Sequence, residues 1–581
     1  MDLANFHVDK VTGTPADTLL AFGLAQLIER IVPESAGDVD LRIADVGDSY
    51  RISLQGVIRP EWVSQASFFP LFQGLDTAKK QSALPEAHRK DYVRQQQRNQ
   101  AYFEARARGL TEAELAEQGL APPPPDWAVW AVINQMSAID AYNGLAELWY
   151  SHRDCFPALL TIILQLFGTR PNDYGTAQAA WTELAKAQGL TAKAVAAQLQ
   201  VVNPGMGKGG NKSKADGLSI GGLSGFWLAE YLKFAGLFQC ALPRTVKGKK
   251  DRKTYILRPR VLSWRTHGRV LPQFQQSLLS NSAIKMDILA VLQYCRVFLE
   301  QWKAGQAGGR FAFARGHPGD HIAGVEVIYY KHLGSAHATM NLSSLALPLW
   351  LPEVRDVEDA TMFLDLLGEH SAIVRGLEEE KGDQYALLQE YRDFLSGRDL
   401  HPFYRFTRGY ASHVMRTFVR GKMPRQFTLA NLEVLIMAHN RNLAPILQNE
   451  GFQHIAEAIR RSTVIPQYQK AQGRDTLYEI RYGLGDKLLR HAQYADDFVQ
   501  ELSRFIHDYN HENAQKSETR KQQYRSNITV DDIAAVVSLI DEYGAPTVAN
   551  LLVAFGYARD PKMGMKDIPE PDLEEEAAES F

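Results

Sequence analysis

The chain has 581 residues, which at roughly 150 residues per domain predicts about four domain-sized units packed as two or three bodies. Hydrophobic residues make up 45% and charged residues 23%, an ordinary globular composition that excludes a mainly disordered or fibrous protein. The 64 Lys and Arg nearly balance 67 Asp and Glu, leaving a net charge of −3, so any surface that attracts nucleic acid must be local.

Cysteine usage and hydropathy indicate the compartment. Cys155, Cys240 and Cys295 lie far apart without a C-x-x-C pair, as expected of a chain in a reducing cytosol. No N-terminal signal precedes the first helix, and no stretch approaches the roughly 18 uncharged apolar residues of a membrane span. These features predict a cytoplasmic protein without membrane attachment.

The first 75 residues predict a small mixed unit. Residues 17–31 carry apolar side chains at helical spacing, and residues 39–55 alternate around a Gly47-Asp48 turn, which is typical of a hairpin with one buried face. Residues 76–126 are rich in Lys, Arg and Gln and end in four prolines, so they predict a charged, exposed helical insertion that closes in a stiff spacer. A helix followed by a hairpin favours an α+β class.

Between residues 126 and 395, long apolar helices mix with short strand-like runs. Helices are predicted at 140–152, 226–238 and 283–303, and strands at 254–257 and 325–330.

After about residue 400 the strand signal fades. Helices are predicted at 431–440, 452–461, 484–510 and 530–557. The predicted organisation is therefore a mixed α/β domain over residues 1–400, a helical bundle over 401–560 and a disordered acidic tail over 561–581.

Charge is unevenly distributed along the C-terminal part of the chain. Residues 411–530 contain 17 Lys or Arg against 12 Asp or Glu, a net +5, whereas residues 531–581 contain 3 against 12, a net −9. The near-neutral total therefore combines a basic bundle with an acidic end.

A glycine–lysine segment, residues 203–217, carries five glycines in fifteen residues. Glycines let backbone amides approach an anion closely, and lysines add charge, so a phosphate or a nucleic-acid base is the predicted ligand. A P-loop pattern starting at Gly205 does not match, because Asn211 occupies the position of its lysine. Two alternatives to a phosphate-binding or base-binding loop remain, a divergent nucleotide hydrolase and a merely flexible loop. The predicted contact residues are Lys208, Asn211, Lys212 and Lys214.

A second basic segment, residues 244–269, holds ten Lys or Arg against the single Asp251. Its pattern predicts a β-hairpin whose cations contact DNA phosphates, with Tyr255 and Trp264 available for stacking; an ordinary solvated turn is the alternative. The predicted contact residues are Arg244, Lys247, Lys249, Lys250, Arg252 and Lys253.

No pattern predicts catalysis or a cofactor. His317, His321, His332 and His337 cluster in sequence, and His507 and His511 share a helix, but neither group has the order of histidines and carboxylates that a hydrolytic metal site needs. We therefore expect a protein that is not an enzyme and has no metal or cofactor.

Residues 203–304 and 410–560 resemble the large subunit of type I CRISPR surveillance complexes (Cascade). The resemblance lies in GKGGNKSKADG, FWLAEYLKFAGLF, KGKKDRKTYIL and AIKMDILAVLQYCRVFLE, then in YEIRYGLGDKLLRHAQYADDFVQELSRFIHDYNHEN and ITVDDIAAVVSLIDEYGAPTVANLLVAFGYAR. It implies a non-catalytic subunit whose N-terminal domain reads the protospacer-adjacent motif (PAM) and whose C-terminal bundle resembles the small subunit. The Gly-Gly-Asp-Asp palm motif of polymerase-like relatives is absent from the sequence.

The resemblance also implies the partners. These are a guide RNA, duplex target DNA with its displaced strand, the backbone and guide-end-capping subunits, a small subunit, and a nuclease-helicase or transposition machinery as the recruited effector. The small subunit could be an internal-start product of the same gene, with Met423 the best-placed start among Met415, Met423 and Met437. The bundle cations expected to hold the displaced strand are Arg441, Arg460, Arg461, Arg481, Lys487 and Arg490.

Two alternatives stay open. One is an enzyme, either a divergent P-loop nucleotide hydrolase or a metal nuclease acting on nucleic acid. The other is a structural scaffold protein with a helical interaction domain.

Overall fold

A computed structural model describes residues 4–36, 39–205, 224–246, 250–277, 279, 282–307, 316–334, 336–520 and 525–561. The chain is 60% helical with 13% strand, with its sheets in the N-terminal half, so the predicted α+β class is confirmed. It divides into two compact units. The first comprises the described residues up to Ala283 together with those of Gln293–Leu347, and the second comprises Ile284–Leu292 and the described residues from Pro348 to Pro561.

In the part of the first unit that the structure describes, the strands form two four-stranded sheets and two strand pairs. One sheet has the order β1-β3-β2-β10, the other has the order β12-β11-β9-β8, and β4-β5 and β6-β7 form the pairs. The strands are β1 (Asn5–Asp9), β2 (Leu41–Asp45), β3 (Ser49–Leu54), β4 (Gly74–Asp76), β5 (Arg89–Asp91), β6 (Val195–Ala197), β7 (Ser224–Phe226), β8 (Ala241–Thr245), β9 (Arg252–Pro259), β10 (Val261–Ser263), β11 (Ile322–His332) and β12 (His337–Ala346).

Both predicted hairpins are present. β2 pairs with β3 in antiparallel register around the Gly47-Asp48 turn, and Gly47 has the positive φ (96°) that such a turn favours. β8 pairs with β9 so that Thr245 faces Arg252. The predicted strands at 254–257 and 325–330 lie inside β9 and β11.

Twelve α-helices begin among the described residues of the first unit. They are α1 (Pro15–Ile31), α2 (Pro60–Ser64), α3 (Tyr92–Ala107), α4 (Glu112–Glu117), α5 (Trp127–Gln135), α6 (Ile139–Ser151), α7 (Phe156–Phe167), α8 (Tyr174–Ala187), α9 (Trp227–Cys240), α10 (Trp264–Gln276), α11 (Ala283–Ala307) and α12 (Pro318–His321). α1 starts where the Thr14 side chain accepts from the Ala16 N–H, with Pro15 in the first turn. The predicted helices 17–31, 140–152, 226–238 and 283–303 correspond to α1, α6, α9 and α11.

An aromatic core joins α6 to α9. The Trp149 ring stacks on Tyr231 with centroids 4.4 Å apart and planes 10° from parallel. Both polar groups have partners, because Trp149 Nε1 donates to the Phe69 carbonyl (2.9 Å) and the Tyr231 hydroxyl accepts from the Leu71 N–H (3.0 Å). Burying aromatic area while satisfying these groups stabilises the packing of α6 on α9.

The charged segment 76–126 has buried contacts of its own. α3 and α4 bury Tyr102, Ala105 and Leu115 in one small cluster. The Tyr92 ring stacks on Trp127 at 4.7 Å, beyond the four prolines. The predicted helical character is therefore correct, but the segment is packed on one face rather than exposed throughout.

The second unit is helical. Its helices, besides the start of α11, are α13 (Val357–Arg375), α14 (Gly382–Ser396), α15 (His401–Val419), α16 (Leu429–His439), α17 (Ala444–Gln448), α18 (Glu450–Ser462), α19 (Val464–Ala471), α20 (Leu484–His491), α21 (Ala495–Arg520), α22 (Val530–Tyr543) and α23 (Ala545–Gly556). α18 packs against α22 and α23, and α15 packs against α14, α19 and α23. The unit begins at Pro348, some fifty residues before the predicted start at 401, because α13 and α14 pack with the bundle.

Two predicted helices are each broken into two. Residues 484–510 form α20 and the first part of α21, separated at residues 492–494. Residues 530–557 form α22 and α23, which are separated by Gly544 at φ 83°. The positive φ interrupts the helix, although apolar spacing continues across it. The predicted tail at 561–581 lies outside the described residues except for Pro561.

Glu369 makes the second unit sensitive to pH. Its Oε2 accepts from the Thr428 N–H (3.0 Å), and its Oε1 is buried with no hydrogen-bond partner among the described residues. Burial raises the pKa of this carboxyl to about 7. Because the folded-state pKa exceeds the unfolded value, the folded state binds the proton more tightly, and stability falls as pH rises from about 4.5 to about 7.

We expect Glu369→Gln to remove this loss of stability. Relative to the unaltered chain, the variant should gain about 1 to 3 kcal/mol between pH 5 and pH 8, since each pKa unit corresponds to about 1.4 kcal/mol. Calorimetric melting at several pH values measures the gain. Glu433→Gln, at an exposed position of α16, is the matched control. Equal pH profiles for the two variants would contradict the expectation.

Candidate nucleic-acid interface

The first residue of the glycine–lysine segment, Asn203, is held in place by buried polar contacts. Asn203 Nδ2 donates to Glu230 Oε2, and Lys233 Nζ donates to both Asn203 Oδ1 and Glu230 Oε1, each at 2.7 Å. All three side chains are buried. A buried charge pair with its remaining polar groups satisfied holds a single geometry, so it ties this end of the segment to α9. Lys208, Asn211, Lys212 and Lys214 lie outside the described residues.

Arg244 is a structural residue of the basic hairpin. It is 3% exposed, and its guanidinium donates to the carbonyls of Pro243 (2.9 Å), Gln275 (2.8 Å) and Ser277 (2.9 Å). Burial lowers its pKa to about 10. This side chain holds β8 to the end of α10. Arg244 therefore has a structural role and does not lie on an exposed surface where it could contact DNA, as the sequence had predicted.

Arg252 and Lys253 are turned inward as well. Arg252 Nη1 donates to Thr245 Oγ1 (2.8 Å), and Lys253 Nζ donates to the Ala283 carbonyl (2.9 Å). Each residue is 8% exposed, and burial lowers the pKa of Arg252. Of the hairpin cations predicted to contact phosphates, Lys250 is exposed, whereas Lys247 and Lys249 lie outside the described residues.

The remaining hairpin features also serve the fold. Tyr255 and Trp264 are buried, so neither ring is available for base stacking. Asp251, the one acid of the segment, accepts from the Tyr329 hydroxyl (2.8 Å) and the His332 N–H (2.9 Å) and thereby joins the hairpin loop to β11. The His332 and His337 rings are 5.0 Å apart. No cluster of three or more His, Cys, Asp or Glu suited to a metal ion occurs within the described ranges.

The six predicted bundle cations fall into three groups. Arg460 is buried and donates to the Phe555 carbonyl (2.6 Å). Three others form ion pairs, namely Arg461 with Glu457 (2.6 Å), Arg481 with Glu512 (3.3 Å) and Lys487 with Glu501 (2.7 Å). Arg441 and Arg490 are exposed, and neither side chain forms an ion pair or hydrogen bond with any part of the chain that the structure describes.

A cavity of about 470 Å³ lies in the second unit, where α15 and Arg420 meet the chain around Tyr482. We call it the arginine cavity, and its lining is Arg408, Ala411, Ser412, Met415, Arg416, Val419, Arg420, Tyr482, Gly483, Gly485, Asp486 and Tyr557. Three cations and one carboxylate give it a local excess of positive charge. None of its three arginines was predicted as a contact residue.

Ion pairs position two of these arginines. Arg408 Nε lies 3.4 Å from Asp486 Oδ1, and Arg416 Nη2 lies 3.0 Å from Asp383 Oδ2. Arg420 is exposed and has no ion pair within the described ranges. The pKa of the adjacent His413 is lowered mainly by burial, while the lowering effects of Arg416 and Arg420 are opposed by the carboxylates of Asp383 and Glu378.

Tyr482 provides a fixed aromatic surface at the same cavity. Its side chain is 56% exposed, yet its hydroxyl donates to Oε1 of the buried Gln467 (2.7 Å). The bond holds one end of the ring while a large part of the ring stays open to solvent. Gly483, which follows it in the left-handed region (φ 72°), precedes the first turn of α20.

No model of a known protein family matches the chain, and no curated protein sequence matches it. Within the described residues, no helix is both long and apolar enough to cross a membrane.

Proposed function

We propose that the chain is the non-catalytic large subunit of an RNA-guided type I CRISPR surveillance complex. In this role it recognises the PAM in duplex DNA, helps to open the duplex, supports the displaced strand and takes part in recruiting the effector. The observation that carries the proposal is the presence in the helical unit of exposed arginines with no acidic partner among the described residues, Arg420, Arg441 and Arg490, alongside the sequence resemblance.

Physical chemistry explains why such arginines matter. An arginine already paired with a carboxylate gains little from a phosphate, because it must exchange one anion for another. An exposed arginine without a partner binds a phosphate and releases counterions, which favours association. In the first unit, the buried Asn203–Glu230–Lys233 group gives the glycine–lysine segment a rigid base, which suits a segment that enters a DNA groove.

Binding of labelled single-stranded DNA to the full-length chain tests the nucleic-acid part of the proposal. We expect Arg441→Ala and Arg490→Ala each to lower the magnitude of the slope of log affinity against log salt by about 0.7 per lost phosphate contact. Arg504→Ala is the matched control, because Arg504 is exposed but paired with Glu501 (3.3 Å). A chain without salt-dependent DNA binding would contradict the proposal.

Purification from the native host tests the RNA-guided part. An affinity-tagged chain should retain a guide RNA that carries repeat sequence, together with backbone and guide-end-capping subunits. Sequencing of the bound RNA and mass spectrometry of the bound proteins identify them. Recovery of the chain with neither would contradict the assignment to a surveillance complex.

A further inference from the structure

We infer that the arginine cavity is a nucleotide-binding site, which takes a phosphate on Arg420 and a base against Tyr482. The inference rests on the proposed function, because it names the ligand class that the helical unit holds. Its observations are nevertheless separate from the arginines Arg441 and Arg490, which do not line the cavity.

The size and lining of the cavity fit a nucleotide. About 470 Å³ lies within the range of roughly 300 to 1,000 Å³ that small-molecule pockets occupy. Guanidinium groups suit phosphate because their N–H donors match two of its oxygens. The cavity combines these donors with an aromatic face, which is the pairing that sequence-tolerant single-strand binding uses.

Positioning of the groups supports a phosphate at Arg420, because Arg416 already pairs with Asp383 (3.0 Å). Arg408 and Ser412 both bind the carboxylate of Asp486. Arg408 Nε lies 3.4 Å from Oδ1, and Ser412 Oγ donates to Oδ2 (3.1 Å). Asp486 is thereby partly neutralised, which reduces its repulsion of an incoming anion. Arg420, without an acidic partner among the described residues, has its donors available.

Tyr482 suits a base because its ring is already oriented. The hydroxyl bond to Gln467 fixes the ring before any ligand binds, so stacking costs little further side-chain entropy. Stacking on one aromatic ring contributes roughly 1 to 3 kcal/mol per base. Phosphate and base together specify a nucleotide, whether it belongs to a nucleic-acid strand or is free in solution.

Fluorescence anisotropy of the full-length chain with a labelled oligothymidine tests the site. We expect Arg420→Ala to weaken binding several-fold and to lower the magnitude of the salt slope by about 0.7, whereas Arg416→Ala should change the slope less, because Arg416 is already paired with Asp383. Tyr482→Leu should weaken binding about tenfold without changing the slope, because it removes stacking and no charge. Tyr482→Phe keeps the ring and should retain most of the affinity.

The matched control is Arg405→Ala. Arg405 lies on the same helix, is similarly exposed and pairs with one acid, Glu390 (2.7 Å), but it does not line the cavity. We expect it to leave affinity and slope unchanged. Competition with thymidine monophosphate and with thymidine distinguishes a free nucleotide from a strand. Displacement by the monophosphate but not by thymidine would support the site and show that the phosphate is required.

Two outcomes of these binding experiments separate the cavity assignment from the proposed function. If the chain binds the oligonucleotide but the Arg420 and Tyr482 variants behave like Arg405→Ala, the cavity is not the site, and the proposed function then depends on Arg441 and Arg490, which do not line the cavity. If the chain binds no oligonucleotide but binds thymidine monophosphate in a Tyr482-dependent manner, the cavity assignment stands and the proposed function fails.

Discussion

Replacing Gly236 with alanine is expected to destabilise the first unit by about 3 kcal/mol or more. Gly236 on α9 and Gly23 on α1 form a reciprocal contact between two backbones. A Cβ at Gly236 would lie 1.8 Å from the Leu19 carbonyl oxygen, and a Cβ at Gly23 would lie 1.9 Å from the Leu232 carbonyl oxygen. Backbone atoms inside two packed helices cannot move aside as a flexible side chain can, so the helices must separate.

Helix propensity acts in the opposite direction and is too small to compensate. Alanine is favoured over glycine in a helix interior by about 1 kcal/mol. Separating α1 from α9 costs more free energy than this, because both helices are buried along most of their length. It also displaces Glu230 and Lys233, which hold Asn203 at the start of the glycine–lysine segment.

Urea unfolding followed by tryptophan fluorescence measures the effect, since eight of the nine tryptophans belong to the first unit. Gly144→Ala is the control. Gly144 is an exposed position of α6 where a Cβ would meet nothing within 4 Å, so the substitution should stabilise by about 0.5 to 1 kcal/mol. If Gly236→Ala behaved like Gly144→Ala, the result would contradict a backbone contact between α1 and α9 at Gly236.

Periodicity predicted most of the fold because it reports which face of an element is buried. α1, α6, α9, α11 and the β2–β3 hairpin follow directly from apolar spacing and turn residues. Periodicity does not report a break inside a continuous apolar pattern. Gly544 ends α22 in a backbone conformation that the surrounding Val, Leu and Ala residues do not reveal.

Charge density was a poorer guide to the candidate site. The hairpin cations Arg244, Arg252 and Lys253 donate to backbone carbonyls or a hydroxyl, and two of the three carbonyls bound by Arg244 lie about thirty residues away in the chain. Such acceptors carry no sequence signature, because every residue has a carbonyl. Nothing short of the tertiary structure distinguishes these cations from exposed ones.

The arginine cavity did leave one signal in the sequence. Arg408, Ser412 and Arg416 follow one another at four-residue intervals on α15, and Arg420 continues the interval just beyond the helix end. Four-residue spacing places side chains on one helix face, so a basic stripe could have been predicted. Tyr482 could not, because it reaches the cavity from a loop more than sixty residues later.

A chain that starts at Met423 is expected to be unstable as a monomer, which bears on the proposal of an internal-start small subunit. Such a start would keep the cap of α16, since the Thr428 side chain accepts from the Asn431 N–H (3.3 Å). The start nevertheless removes α15, which packs against α19 and α23. Its Tyr410 hydroxyl donates to the Arg425 carbonyl (2.6 Å), and its aromatic rings cover Phe427.

Without α15, buried apolar surface at Phe427, Ala554 and Tyr557 becomes exposed. At roughly 25 cal/mol per Å² of apolar area, the loss amounts to several kcal/mol, a large part of the stability of a domain of this size. A recombinant fragment from Met423 should therefore melt without cooperativity or associate with itself. A fragment from His401 restores α15 and is the matched comparison in calorimetry and light scattering.

The apolar surface that is exposed without α15 also determines what is expected of an internal-start product in the cell. An internal-start product beginning at Met423 would persist only while a second chain covers Phe427 and Tyr557, so mass spectrometry should find it in the assembled complex and not as a free monomer. A Met423 fragment that is monomeric and melts as cooperatively as the His401 fragment would show that α15 is dispensable. Absence of any species starting near Met423 from the native complex would leave the helical unit as a tethered domain alone.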